Sequence, residues 1–129
     1  MAGVVLDTSA LVALLLEEPG SQKVEAVLAT SVLGAVNQSE LYSYYARLGA
    51  SEADVRQMLR PLALKVLPAD GELAVEAGML RSVTADAGLS LGDRFCLALA
   101  KREQREAWTA DPAWKDLAKA VGVKVICIR

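Results

Sequence analysis

Short apolar runs recur along this chain, and a stretch patterned as helix separates each from the next. Gly3 to Leu6, Val32 to Val36 ("VLGAV"), Leu64 to Leu67 ("LKVL") and "VKVICI" near the end are rich in aliphatic, largely β-branched residues. Gly3 to Leu6 shows no period of two, which is how a short strand buried on both faces reads. Trp108-Thr109 is a very short further candidate. Between them lie Ser9 to Glu18, stopped by Pro19-Gly20, then Ser21 to about Ala29, Asn37 to Gly49, and Ser51 through Leu59 before Pro61. Asp70 to about Ala87, "DRFCLALAKRE" after the Gly88 turn, and a helix with Pro112 in its first turn complete the series. Strands alternating with helices predict an α/β fold, with a mostly parallel central sheet of four to five strands flanked by helices.

No linker, repeat or low-complexity tract divides residues 1–129, so one domain is expected. The residues are 53% hydrophobic but only 5% aromatic, so aliphatic side chains must fill the core. The net charge of −2 lacks the basic excess common among nucleic-acid binders. No apolar run approaches a membrane span and the first residues lack a basic flank, so a cytoplasmic protein is expected. Cys96 and Cys127 sit in apolar surroundings and read as reduced core residues. The chain has no histidine, which rules out Ser-His-Asp and Cys-His catalysis and leaves any metal site to oxygen ligands or the two thiols.

Parallel strands place every strand-to-helix junction on one edge of the sheet, where α/β proteins bind ligands. Asp7 ends the first strand. Glu40 comes one turn into the helix after "VLGAV", Asp93 opens the helix after "LSLG", and Asp111 follows "AWTA". Helix capping is the simpler reading of each acid taken singly. Asn37 to Glu40 and Ser90 to Asp93 have capping-box spacing, Asp111-Pro112 reads as a cap before proline, and Asp70 obeys the same geometry. If four carboxylates did meet about 6 Å apart, each pair would repel by about 3 kcal/mol at an effective dielectric near 20. Such a rim must be protonated, spread out or neutralised by a cation. Oxygen ligands suit Mg²⁺ or Mn²⁺, ions that activate water for phosphodiester hydrolysis.

"VVLDTSALVALLLEE", "NQSELYSYYARLG", "LSLGDRFCLALAKR" and "AWTADPAWKDLA" together resemble the four acidic motifs of PIN-domain ribonucleases, in order and spacing. The short single-domain chain is most similar to the VapC-type toxins of toxin–antitoxin pairs. The resemblance implies an endoribonuclease dependent on Mg²⁺ (or Mn²⁺), with Asp7 and Asp93 as principal metal ligands. Glu40 would be a further ligand or would orient water, and Asp111 would act through water. Thr8, Ser9 and Thr109 match small hydroxyl positions that hydrogen-bond the acids, although Ser9 also suits a helix cap. An RNA substrate, a cognate VapB-type antitoxin and a homodimer are implied as partners. Some relatives carry a further acid two residues after the fourth motif Asp, where this chain has Ala113, which bears on whether a second ion binds.

Two alternatives come from the same residues. One is an aspartyl-phosphate phosphatase, although Ser9 stands where that chemistry wants a second Asp. The other is an interaction module whose acids only cap helices. Arg94, Lys101, Arg102 and Arg105 are candidate RNA contacts or a solvated face. Of Tyr42, Tyr44 and Tyr45, at least one should be buried and another is placed to stack on a base or line a partner groove. Trp108 and Trp114 read as core or interface.

Overall fold

The computed structural model describes residues 3–129. Five short strands, β1 (Val4–Leu6), β2 (Val32–Gly34), β3 (Lys65–Leu67), β4 (Glu106–Thr109) and β5 (Val125–Cys127), form one parallel sheet in the order β3-β2-β1-β4-β5. The helices are α1 (Thr8–Leu15), α2 (Ser21–Val27), α3 (Ala35–Arg47), α4 (Glu52–Leu59), α5 (Gly71–Met79), α6 (Arg81–Thr84), α7 (Leu91–Glu103) and α8 (Ala118–Val121). The expected α/β class and parallel sheet are as observed.

β1 is buried throughout, yet its side chains still divide between the two faces of the sheet. Val4 and Leu6 join Leu11, Leu33, Leu41 and Ile128 on one side, while Val5 joins Val32, Leu97, Leu99 and Trp114 on the other. Each fully buried leucine contributes about 1.5–3 kcal/mol. In register, Leu6 pairs with Leu33 of β2 and with Trp108 of β4, and Thr109 pairs with Cys127 of β5. The carboxyl ends therefore align, and Asp7 and Thr109 emerge side by side.

Several expected boundaries shift, among them the start of β4, which lies at Glu106 and not at Trp108. "VLGAV" is not strand throughout: β2 stops at Gly34 and the helix begins at Ala35, so Asn37 lies inside α3 rather than capping it. The helix expected over Asp70 to Ala87 is broken into α5, α6 and a 3₁₀ turn at Ala85–Ala87. The segment after Pro112 is 3₁₀ to Leu117 before α8 begins. Cys96 is buried and Cys127 partly so, both as free thiols. Among the described residues no helix is long and apolar enough to cross a membrane.

Candidate active site at the carboxyl edge of the sheet

Asp7 occupies the N-cap position of α1, but its side chain makes no capping hydrogen bond. Ser9 Oγ donates to Asp7 Oδ2 at 2.6 Å, and Thr109 Oγ1 donates to the same oxygen at 3.1 Å. The carboxyl is 3% exposed, and its buried Oδ1 has no hydrogen-bond partner. Burial raises the Asp7 pKa from 3.8 to about 6, against the lowering effect of Ser9; Asp93 and Glu40 push it up further, and Thr109 lowers it. A carboxyl that cannot cap, lacks a donor on one oxygen and resists ionisation is poorly explained as a structural residue.

Glu40 faces the same cavity from α3. Thr8 Oγ1 donates to its Oε1 at 2.7 Å, and Asn37 Nδ2 donates to that oxygen at 3.0 Å. Asn37 is fully buried and also donates to Thr8 Oγ1 and to the Gly92 carbonyl, so it ties α1, α3 and α7 together. Its spacing from Glu40, read from sequence as a capping box, is an i,i+3 contact inside the helix instead. Gly92 is equally specific: a Cβ there would run into the Glu40 carboxylate. The sequence marked Asn37 only as a helix cap and did not single out Gly92, yet Asn37 holds Glu40 and Gly92 lines the cavity. The only signal for Gly92 was its place directly before Asp93 in a helical first turn, where glycine is disfavoured without a packing reason.

Asp93 opens onto this cavity and also caps α7. Its Oδ2 accepts from Ser90 N at 2.9 Å while Ser90 Oγ accepts from Asp93 N, so here the capping reading is correct but incomplete. Asp7, Glu40 and Asp93, drawn from three separate segments, line one open cavity of about 960 Å³. Asp111 does not line it. Its Oδ1 accepts from Ala113 N as a cap, and its N–H donates to Thr109 Oγ1, which links it to Asp7 indirectly. Asp70 is a cap too, accepting from Leu73 N and pairing with Arg102 away from the cavity.

None of the suggested basic residues, Arg94, Lys101 and Arg102 on α7 and Arg105 just after it, lines the cavity. Arg94 is buried and donates to the Ala77 carbonyl, Arg102 pairs with Asp70, and Arg105 donates to the Thr30 carbonyl. Trp114 is fully buried in the core.

Among the described residues, no three Asp, Glu or Cys side chains converge closely enough to enclose a metal ion as they stand. The donor set nevertheless fits a hard cation: every candidate is oxygen, and Asp7 Oδ1 is held ready without a donor. Mg²⁺ is characteristically held by one or two carboxylates with water completing its shell, so a three-carboxylate cage is not required.

A family model described as the PIN domain matches residues 4–120. Sequence comparison with curated proteins gave no significant match. FitAcB from Neisseria gonorrhoeae superposes with a TM-score of 0.71 at 23% identity, over 97% of each chain. VapC20 of Mycobacterium tuberculosis, described as a sarcin–ricin loop cleaving toxin, gives 0.70 at 16% identity, over 88% of this chain and 94% of that one. VapBC-5 of the same organism, a toxin–antitoxin system, gives 0.65 at 26% identity, over 98% and 99%. Matched by that family model over residues 4–120, this chain belongs to the PIN domain family.

Proposed function

We propose that the chain is an endoribonuclease dependent on Mg²⁺ or Mn²⁺, the toxin of a toxin–antitoxin pair, working in the cytoplasm. The observation that carries this reading is the Asp7–Glu40–Asp93 cavity, in which Asp7 is buried, free at Oδ1 and raised to a pKa of about 6. Toxins built on this domain are nucleases, which supports the same chemistry. Helix capping alone does not account for Asp7 or Glu40, neither of which caps. The phosphatase alternative loses ground because Ser9, in place of a second acid, is spent on Asp7 Oδ2.

When bound, the ion would supply positive charge to phosphate oxygens and an acidified water. The chain's own residues set up what surrounds it. Ser9 and Thr109 fix Asp7 through Oδ2, leaving Oδ1 for the cation. Asp93, anchored at Oδ2 by Ser90 N, would offer its other oxygen as a second ligand. Thr8 and Asn37 hold Glu40 at Oε1, leaving Oε2 to orient water and take its proton as it attacks phosphorus in line. Cleavage in this sense leaves a 5′-phosphate and a 3′-hydroxyl. Asp111 acts at one remove, through Thr109.

A cognate antitoxin is proposed because several similar structures are toxin–antitoxin complexes. A homodimer is proposed because Val75 and Met79 on α5 and Val83 on α6 are large apolar side chains left exposed. The test of the central reading is cleavage of single-stranded RNA with Mg²⁺, with EDTA, and by Asp7→Asn and Asp93→Asn proteins shown to be folded by circular dichroism. Cleavage should require the ion and both acids. Equal cleavage in excess EDTA, or by both variants, would overturn it.

A further inference from the structure

The cavity is not acidic along its whole length. Glu40, Ser43, Tyr44 and Arg47 follow one another on α3 at i, i+3, i+4 and i+7, and all four line it. They form a single stripe on that helix. Arg47 is the only basic side chain among the lining residues. Its guanidinium carbon stands 5.9 Å from the centre of the Tyr44 ring. Among the described residues it forms no ion pair, in contrast to Arg56, Arg102, Lys124 and Arg129, each of which is paired with an acid. Tyr44 packs edge-on against Tyr45 with ring centres 5.0 Å apart, so its position is braced from within the helix.

From Glu40 to Arg47 is about 10 Å along the helix axis. Helical side chains lean toward the N-terminus of their helix, so Arg47 extends back toward the acids. A polyanion entering a rim of three carboxylates meets a single positively charged side chain among the lining residues, this guanidinium. Arginine resting on an aromatic ring keeps its planar donors available for phosphate oxygens, and tyrosine stacks on any unpaired base. Val12 and Leu91 add apolar wall to the same cavity, and Leu91 is 54% exposed.

On the nuclease reading above, on which this rests, we infer that Tyr44 and Arg47 form the subsite for the nucleotide flanking the scissile phosphate of single-stranded RNA. Arg47 binds that nucleotide's phosphate and Tyr44 stacks on its base. Neither residue takes part in the bond-breaking step.

The test uses the full chain with Mg²⁺ and two substrates: a fluorescein-labelled single-stranded RNA oligonucleotide, and bis-p-nitrophenyl phosphate, a diester with no flanking nucleotide. Arg47→Ala should raise KM for the oligonucleotide about tenfold, more than it lowers kcat, with Arg47→Lys intermediate. Its loss on the oligonucleotide should exceed its loss on the small diester at least fivefold. The slope of log(kcat/KM) against log salt should fall by about 0.7, the value for one lost contact to a single strand. Tyr44→Ala should raise KM without changing that slope. If the wild type cleaves RNA and Arg47→Ala has the same KM and salt slope, the subsite is refuted while the nuclease stands. Equal losses on the two substrates refute it as well. A wild type inactive on both substrates refutes the nuclease and the subsite together.

Discussion

Replacing Asp7 by Asn should separate the stability of this site from its function. The Asp7 carboxyl titrates at about 6 in the fold against 3.8 for an unperturbed aspartate, chiefly because burial disfavours its charged form. A raised carboxyl pKa makes the folded state the better proton binder, so its stabilising contribution is full below pH 4 and is lost as pH rises through 6. About two pKa units at 1.4 kcal/mol each put the loss near 3 kcal/mol in the metal-free protein. Asn resembles the protonated acid and does not titrate. Its amide can still accept from Ser9 and Thr109, but it places a donor where Oδ1 lies buried, at a fixed cost of about 1–3 kcal/mol. The assay is urea unfolding of both proteins in EDTA from pH 4 to 8, read as the difference in unfolding free energy. That difference should move by about 3 kcal/mol in favour of Asp7→Asn between pH 4 and 7.5, while the variant has no nuclease activity. A difference flat with pH would refute the buried, reluctantly ionised carboxyl.

Asn37→Ala should cost about 1–3 kcal/mol of stability and lower kcat by about 10–100-fold, because Glu40 loses a donor and three helices lose a shared tie; thermal melts and single-turnover cleavage measure the two effects. Gly92→Ala favours the helix by propensity yet drives a methyl group into the Glu40 carboxylate, so activity should fall at least tenfold while the far-ultraviolet circular dichroism is unchanged. Asp70→Ala removes the α5 cap and should cost about 1 kcal/mol in a urea melt with no loss of cleavage rate, the behaviour expected of an acid outside the site.

The strand-and-helix alternation was legible because four of the five strands are short and mostly aliphatic, whereas β4, Glu106–Thr109, is not and showed only as Trp108-Thr109. Ser51, Asp70 and Ser90 cap helices whose starts the sequence marks. The role of Asn37 was not, because N-x-x-E has the same spacing in a capping box as within a helix. The choice turned on where β2 ends, and "VLGAV" is apolar on both sides of that boundary. Arg94 beside Asp93 was misleading for a related reason: neighbours on a helix point about 100° apart, so one opens onto the cavity while the other is buried against α5. The split after Met79 had no proline to announce it. Thr84 Oγ1 accompanies it by donating to the Leu80 carbonyl. Asp7 after a buried strand was ambiguous in the sequence, where helix capping was the simpler reading; the missing capping bond and the unpartnered oxygen tell against capping.

The most direct test of the account is calorimetric titration of Mn²⁺ into the metal-free wild type, Asp7→Asn and Asp93→Asn. Saturable binding to the wild type that both substitutions abolish or weaken at least tenfold is the expected result. No binding to the wild type, or equal binding to all three proteins, would mean that these acids do not share an ion.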